Sequence, residues 1–84
     1  MVEVRIIYCR PCGFQDRAVK LANDVLRELG VHGVSVKLVP GDKGIFDVYV
    51  DDKLIFSRYQ EKRFPEPGEI IDGVKKLLTP TPIV

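Results

Sequence analysis

The sequence predicts an α/β fold, a two-layer sandwich in which one four-stranded mixed sheet carries two helices on a single face, in the order β-α-β-β-β-α. Three observations lead there. Short β-branched and aromatic segments alternate apolar with polar residues, the period of half-buried strands. Two longer segments repeat their apolar residues at helical spacing. The chain has 84 residues, a length that buries about three fifths to two thirds of its unfolded surface and supports one core. A single domain over residues 1–78 is expected.

The elements follow in order. Val2-Glu3-Val4-Arg5-Ile6-Ile7-Tyr8 reads as the first strand. Ala18, Leu21, Ala22, Val25, Leu26 and Leu29 recur on one helical face, with Arg17, Lys20, Asn23, Asp24, Arg27 and Glu28 mostly opposite. That helix runs to about Leu29, and Gly30 followed by His32-Gly33 supplies its stop. Val34, Val36 and Leu38 alternate with Ser35 and Lys37 as a second strand, which Pro40-Gly41-Asp42-Lys43-Gly44 ends in a loop. Phe46, Val48 and Val50 alternate with Asp47 and Tyr49. Asp51-Asp52 then turns the chain into Lys53-Leu54-Ile55-Phe56-Ser57, completing a hairpin. A polar segment from Arg58 to Arg63 leads to Phe64-Pro65-Glu66-Pro67, where proline is tolerated in a first helical turn. The second helix has the stripe Ile70, Ile71, Val74, Leu77 and Leu78. Thr79-Pro80-Thr81-Pro82 cannot continue it, so 79–84 is expected to be a flexible C-terminal tail.

The first two strands are joined through a helix and should be parallel with a right-handed crossover, and the hairpin adds antiparallel strands. The spatial order expected is second, first, third, fourth. The polar residues that alternate along the strands imply that both helices share one face and leave the other wet.

Both cysteines fall in Cys9-Arg10-Pro11-Cys12, between the first strand and the first helix. Unpaired N–H groups and the positive end of a helix dipole at such a junction favour thiolate, the form that attacks disulfides. Arg10 and Arg17 can favour it further, or be ordinary surface arginines. Pro11 lacks an N–H and stiffens the turn, or merely starts the helix. A structural staple is the weaker reading, because a loop this short constrains the unfolded chain little. Zinc needs three or four protein ligands. The chain offers two cysteines and one histidine, and His32 lies at the far end of the helix, so zinc would need two chains pooling their cysteines. No metal and no cofactor is expected.

Thirteen basic residues against twelve acidic ones give a net charge of +1, which excludes the strongly basic profile of nucleic-acid binders. No run approaches the roughly 18 apolar residues of a membrane span, and the N-terminus has no secretory pattern, so a cytoplasmic protein is expected. Nucleic acid and membrane are not expected partners.

A CxxC at the end of the first strand of such a chain resembles the minimal thioredoxin fold. Within it the chain is similar to the selenoprotein W-like, Rdx-type family, whose C-x-x-U or C-x-x-C motif is followed by Gly and an aromatic. Here that stretch reads Cys9-Arg10-Pro11-Cys12-Gly13-Phe14. Gly44-Ile45-Phe46-Asp47-Val48 and Lys53-Leu54-Ile55-Phe56-Ser57 match two further landmarks, and the likeness runs from about Val4 to Leu78. The resemblance implies a selenium-free redox protein of the thioredoxin-like fold, with Cys12 in the place that selenium occupies in relatives. Local geometry is less one-sided. Cys9 is expected at the strand end, where its sulfur meets the helix's N–H groups and protrudes, and Cys12 inside the first helical turn and partly covered.

Two functions remain in view. One is a small thiol–disulfide oxidoreductase with Cys9 and Cys12 as its catalytic pair, acting on a protein or low-molecular-weight thiol or disulfide, in cell redox homeostasis. The other is a protein-binding module whose CxxC senses redox state without turnover, docking through a rim of Phe14, the Pro40–Gly44 loop and the Arg58–Phe64 segment.

Overall fold

A strand that alternates strictly and is flanked on both sides becomes the centre of its sheet. The computed structural model describes residues 2–78, and its central strand is β1 (Val2–Cys9). After it come α1 (Gln15–Leu29), a 3-10 turn (Gly30–His32), β2 (Val34–Gly41), β3 (Phe46–Val50), β4 (Lys53–Ser57), the one-turn α2 (Arg58–Glu61) and α3 (Pro67–Leu78). The sheet order is β2-β1-β3-β4. β1 is parallel to β2, with Val2 opposite Val34 and Cys9 opposite Gly41, and antiparallel to β3, with Ile7 opposite Asp47. This is the expected mixed sheet.

Val4, Ile6 and Tyr8 of β1 and Phe46, Val48 and Val50 of β3 turn to the same face and are buried there. Ala18, Leu21, Val25 and Leu29 of α1 and Ile70 and Val74 of α3 meet them in one core. α1 packs against β1 and β2, while α3 packs against β4 and α1, so both helices cover that face. A side chain such as Ile6 or Val25, with no solvent contact, contributes about 1.5–3 kcal/mol by burial. Among the described residues no helix is long and apolar enough to cross a membrane.

Several details depart from expectation for identifiable reasons. Leu26 is 45 % exposed, because at roughly 100° per residue it stands about 80° away from Ala18, on the flank of the buried arc. Leu77 of α3 is exposed too. α1 does end at Leu29, with Gly30 at a helical φ of −58° and Gly33, at φ 81°, closing the 3-10 turn that follows. β2 continues through Pro40 to Gly41, which a proline permits on an edge strand, where its missing N–H interrupts no ladder. The third and fourth strands contain a register shift between Val48 and Tyr49, and Arg58–Glu61, expected as a polar connection, forms the short α2. The predicted tail over 79–84 lies outside the described residues.

Candidate functional site

The end of β1 is fixed from both sides before the chain turns. The Cys9 N–H donates to the Ile45 carbonyl at 2.8 Å, and the Arg10 N–H donates to the Gly41 carbonyl at 3.1 Å. Gly41 is needed for that approach: a Cβ there would meet the Ile45 side chain at 2.9 Å and that of Ile7 at 3.3 Å. The turn then closes on itself, with the Gly13 N–H donating to the Arg10 carbonyl at 3.0 Å and the Phe14 N–H to the Cys9 carbonyl at 3.2 Å. Gly13 has φ 82°, a conformation that costs glycine nothing and other residues about 1–2 kcal/mol. Inside this turn Cys9 and Cys12 are joined as a disulfide, their Cα atoms 5.3 Å apart.

The two sulfurs occupy unlike environments, and the difference reverses the geometric expectation. Helix α1 begins only at Gln15, so Cys12 belongs to the turn before it and is exposed. Cys9 has 0 % exposure. The reason is the strand: β1 pairs through Cys9 itself, flanked by Gly41 and Ile45, so its side chain is roofed where a strand end would have let it protrude.

The three segments expected to form a rim do converge beside the motif. Phe14 and Phe64 meet edge to face with centroids 4.8 Å apart, and Phe64 meets Phe46 at 5.5 Å. Arg58 lies over both the Phe14 and Phe64 rings, at 5.3 and 5.2 Å, and its Nη1 donates to the Gly44 carbonyl at 3.4 Å. The Tyr59 hydroxyl donates to the Lys43 carbonyl. Phe14 is half-buried, serving at once as rim and as packing. Arg17 stacks over Phe64 at 4.0 Å, and Arg10 is exposed, lining a surface hollow with Pro11, Gly13, Gln15 and Asp16. His32 is exposed in the 3-10 turn. Among the described residues no three His, Cys, Asp or Glu side chains cluster as metal ligands would.

Behind the rim, Arg63 holds Glu69 by two hydrogen bonds, at 2.6 and 2.9 Å, and Glu69 also accepts the Glu66 N–H at 2.8 Å. Glu69 thereby completes the acidic half of a capping box on α3. Hydrogen bonds from Arg63 and then from the Glu66 backbone lower its pKa from 4.5 to about 2, and the same partnership raises that of Arg63.

Two polar side chains at this end escaped the sequence reading as chemistry. Arg58 Nε and Asp47 Oδ1 are buried and have no hydrogen-bond partner among the described residues. Asp47 had a signal, since it is the acidic position within the Gly44–Val48 landmark. Arg58 had none beyond its place after a strand.

A model of the Rdx family matches residues 3–76. The chain belongs to the Rdx family. This Rdx-family chain superposes on the crystal structure of a selenoprotein W-related protein from Vibrio cholerae with a TM-score of 0.88, at 28 % identity, covering 93 % of this chain and 98 % of that one. It superposes on a Bordetella parapertussis protein with a TM-score of 0.85, also at 28 % identity, covering 90 % and 96 %. In sequence it is 26 % identical over 82 residues to migration and invasion enhancer 1 of Mus musculus, covering 98 % of this chain and 70 % of the relative. The Bos taurus protein of that name gives the same identity and coverage. The Rdx assignment, the fold and a CxxC pair at bonding distance therefore agree.

Proposed function

We propose that this protein is a thiol–disulfide oxidoreductase in which Cys12 attacks and Cys9 resolves. The observation that carries the reading is the asymmetry of the pair: Cys12 is exposed and Cys9 is not. A substrate disulfide can reach only the sulfur at the surface. Starting from the dithiol, the Cys12 thiolate bonds to one substrate sulfur and the substrate S–S bond breaks, releasing one substrate thiolate. Cys9 then attacks the Cys12 sulfur, the mixed disulfide breaks, and the second substrate thiolate leaves. The product is the Cys9–Cys12 disulfide, and an external dithiol restores the starting state.

The position that relatives fill with selenium coincides with the exposed cysteine, Cys12, which supports the same assignment. The substrate class is a protein or low-molecular-weight disulfide, handled in the cytoplasm as part of redox homeostasis. A cation-and-aromatic rim suits docking of a protein chain, since rings give contact area and Arg58 and Arg17 are already held against them.

Turnover tests it. With dithiothreitol as reductant, the wild-type protein should accelerate reduction of a small disulfide and Cys12→Ser should abolish the acceleration, whereas reduced Cys9→Ser mixed with that disulfide in the absence of dithiothreitol should stop as a mixed disulfide on Cys12. No acceleration by the wild type, with partner affinity that changes on oxidation, would replace the enzyme by a redox sensor.

A further inference from the structure

A resolving cysteine with no solvent contact needs somewhere to put its proton. Cys9 is 0 % exposed in the disulfide-bonded structure, and resolution requires its sulfur as thiolate. The strand register identifies the neighbours. Ile7 is opposite Asp47, and the Cys9 N–H bonds to the Ile45 carbonyl two residues earlier on that side. Cys9 and Ile7 are two apart on one strand, and Ile45 and Asp47 two apart on the other, so all four share a face. The convergence of the Ile7 and Ile45 side chains on Gly41 marks that same face. Asp47 is therefore the diagonal neighbour of Cys9, a relation that spans about 7–8 Å between backbones and less between side chains. A carboxylate and a thiol can close that gap directly or through one water.

The second observation is what Asp47 lacks. Its Oδ1 is buried without a hydrogen-bond partner among the described residues, an arrangement that costs stability unless a donor is supplied. The site is in its disulfide state, in which Cys9 carries no proton. Opening the disulfide creates an S–H donor on this face, one that the orphaned acceptor lacks while the pair is oxidised.

We propose that Asp47 accepts the proton of the Cys9 thiol as Cys9 resolves a mixed disulfide held on Cys12. The proposal rests on the assignment of Cys12 as attacker. In the step, the S–H bond of Cys9 breaks, its proton passes to the Asp47 carboxylate, and the freed electron pair forms the bond to the Cys12 sulfur. The bond from Cys12 to the substrate sulfur breaks, and the substrate leaves as thiolate. Other polar groups on this part of the molecule are differently engaged. Arg5 on β1 lies over the Tyr49 ring at 4.8 Å, Arg58 lies against rings and donates from Nη1 to the Gly44 carbonyl while its Nε stays buried without a partner among the described residues, and Tyr59 of α2 donates to the Lys43 carbonyl. Ser57 of β4, opposite Asp47, is 5 % exposed and uncharged.

Stopped-flow reaction of the reduced protein with dithiobis-nitrobenzoate separates the two steps, because thionitrobenzoate is released once when Cys12 is captured and once when Cys9 resolves. The wild-type second phase should vary little between about pH 6 and 8. Asp47→Asn should leave the first phase unchanged, slow the second by roughly 100-fold, the middle of what a positioned general base contributes, and make it rise about tenfold per pH unit. Asp47→Glu should restore most of the rate and the level profile. A second phase in Asp47→Asn within twofold of wild type, or a Glu variant as slow as the Asn variant, overturns the proposal. So does a wild-type second phase that itself rises about tenfold per pH unit, a result that needs no variant to fold. Failure of the underlying assignment looks different: the fast first phase would survive in Cys12→Ser and vanish in Cys9→Ser.

Discussion

The two ends of the sheet are built on opposite principles. At the hairpin end, polar groups pair off: the Asp51 N–H donates to the Glu3 carbonyl at 2.8 Å, and the Glu3 N–H donates to Asp51 Oδ1 at 3.1 Å. That exchange fastens the Asp51-Asp52 turn to the start of β1, and Asp51 tolerates its φ of 53° because a short polar side chain can bond locally. At the cysteine end, arginines lie on rings, and two buried polar atoms, Asp47 Oδ1 and Arg58 Nε, have no partner among the described residues. One end is finished as structure. The other holds unsatisfied polar atoms beside the Cys9–Cys12 disulfide, which is where a fold of this size departs from local optimisation.

β3 (Phe46–Val50) reaches both ends, and substitutions along it have the largest expected effect. Phe46 is 1 % exposed and carries the edge contact to Phe64, so Phe46→Ala should cost about 3–5 kcal/mol. Val50→Ala, at the hairpin end, should cost only roughly 2 kcal/mol. Equal losses in urea denaturation would show that the aromatic rim adds nothing to the core.

Next comes Gly41. Gly41→Ala drives a methyl into Ile45 and Ile7 and should cost about 1–3 kcal/mol by overpacking. It should also speed reduction of the Cys9–Cys12 disulfide by dithiothreitol, because the roof over Cys9 must shift. Unchanged reduction kinetics would mean that Cys9 is protected by something other than this roof.

Asp51→Ala should destabilise by about 1 kcal/mol through loss of its side-chain hydrogen bond and leave the alkylation rate of Cys12 unchanged. A changed rate would couple the two ends and undo the contrast.

The smallest effect belongs to Glu69. Its folded pKa is depressed to about 2 from 4.5, so its contribution is present above about 4.5 and fades as pH falls toward 2. The pair is exposed, and its contribution is modest. Melting temperatures of Glu69→Gln should fall less than wild type between pH 5 and 2; parallel curves would show that the Arg63 pairing does not stabilise the fold.

The topology was legible because it rests on few rules. One helical crossover and one Asp-Asp hairpin suffice to order the four strands, and the alternation of Val4, Ile6 and Tyr8 marks the covered face. The cysteine motif was legible from spacing alone. What the sequence concealed depends on tertiary contact. A one-turn helix at Arg58–Glu61 has no periodicity to detect, and Pro40 ends a strand by propensity but not on a sheet edge. The exposures of Cys9 and Cys12 are set by how far β1 pairs and where α1 begins, two boundaries that propensity fixes only to within a few residues. With α1 starting at Gln15, Cys12 falls in the turn before the helix and is exposed, where a place inside the first helical turn would have partly covered it.

Cys12 is presented at the surface and Cys9 is enclosed, and alkylation of each single-serine variant by iodoacetamide as a function of pH tests that arrangement directly. Cys9→Ser, which retains Cys12, should react fast, with an apparent pKa below the unperturbed value of about 8.5. Cys12→Ser, which retains Cys9, should react at least tenfold more slowly throughout and approach the Cys12 rate only when the protein is unfolded in denaturant. Fast alkylation of Cys9 in the native protein, with Cys12 slow or unshifted, would contradict the account.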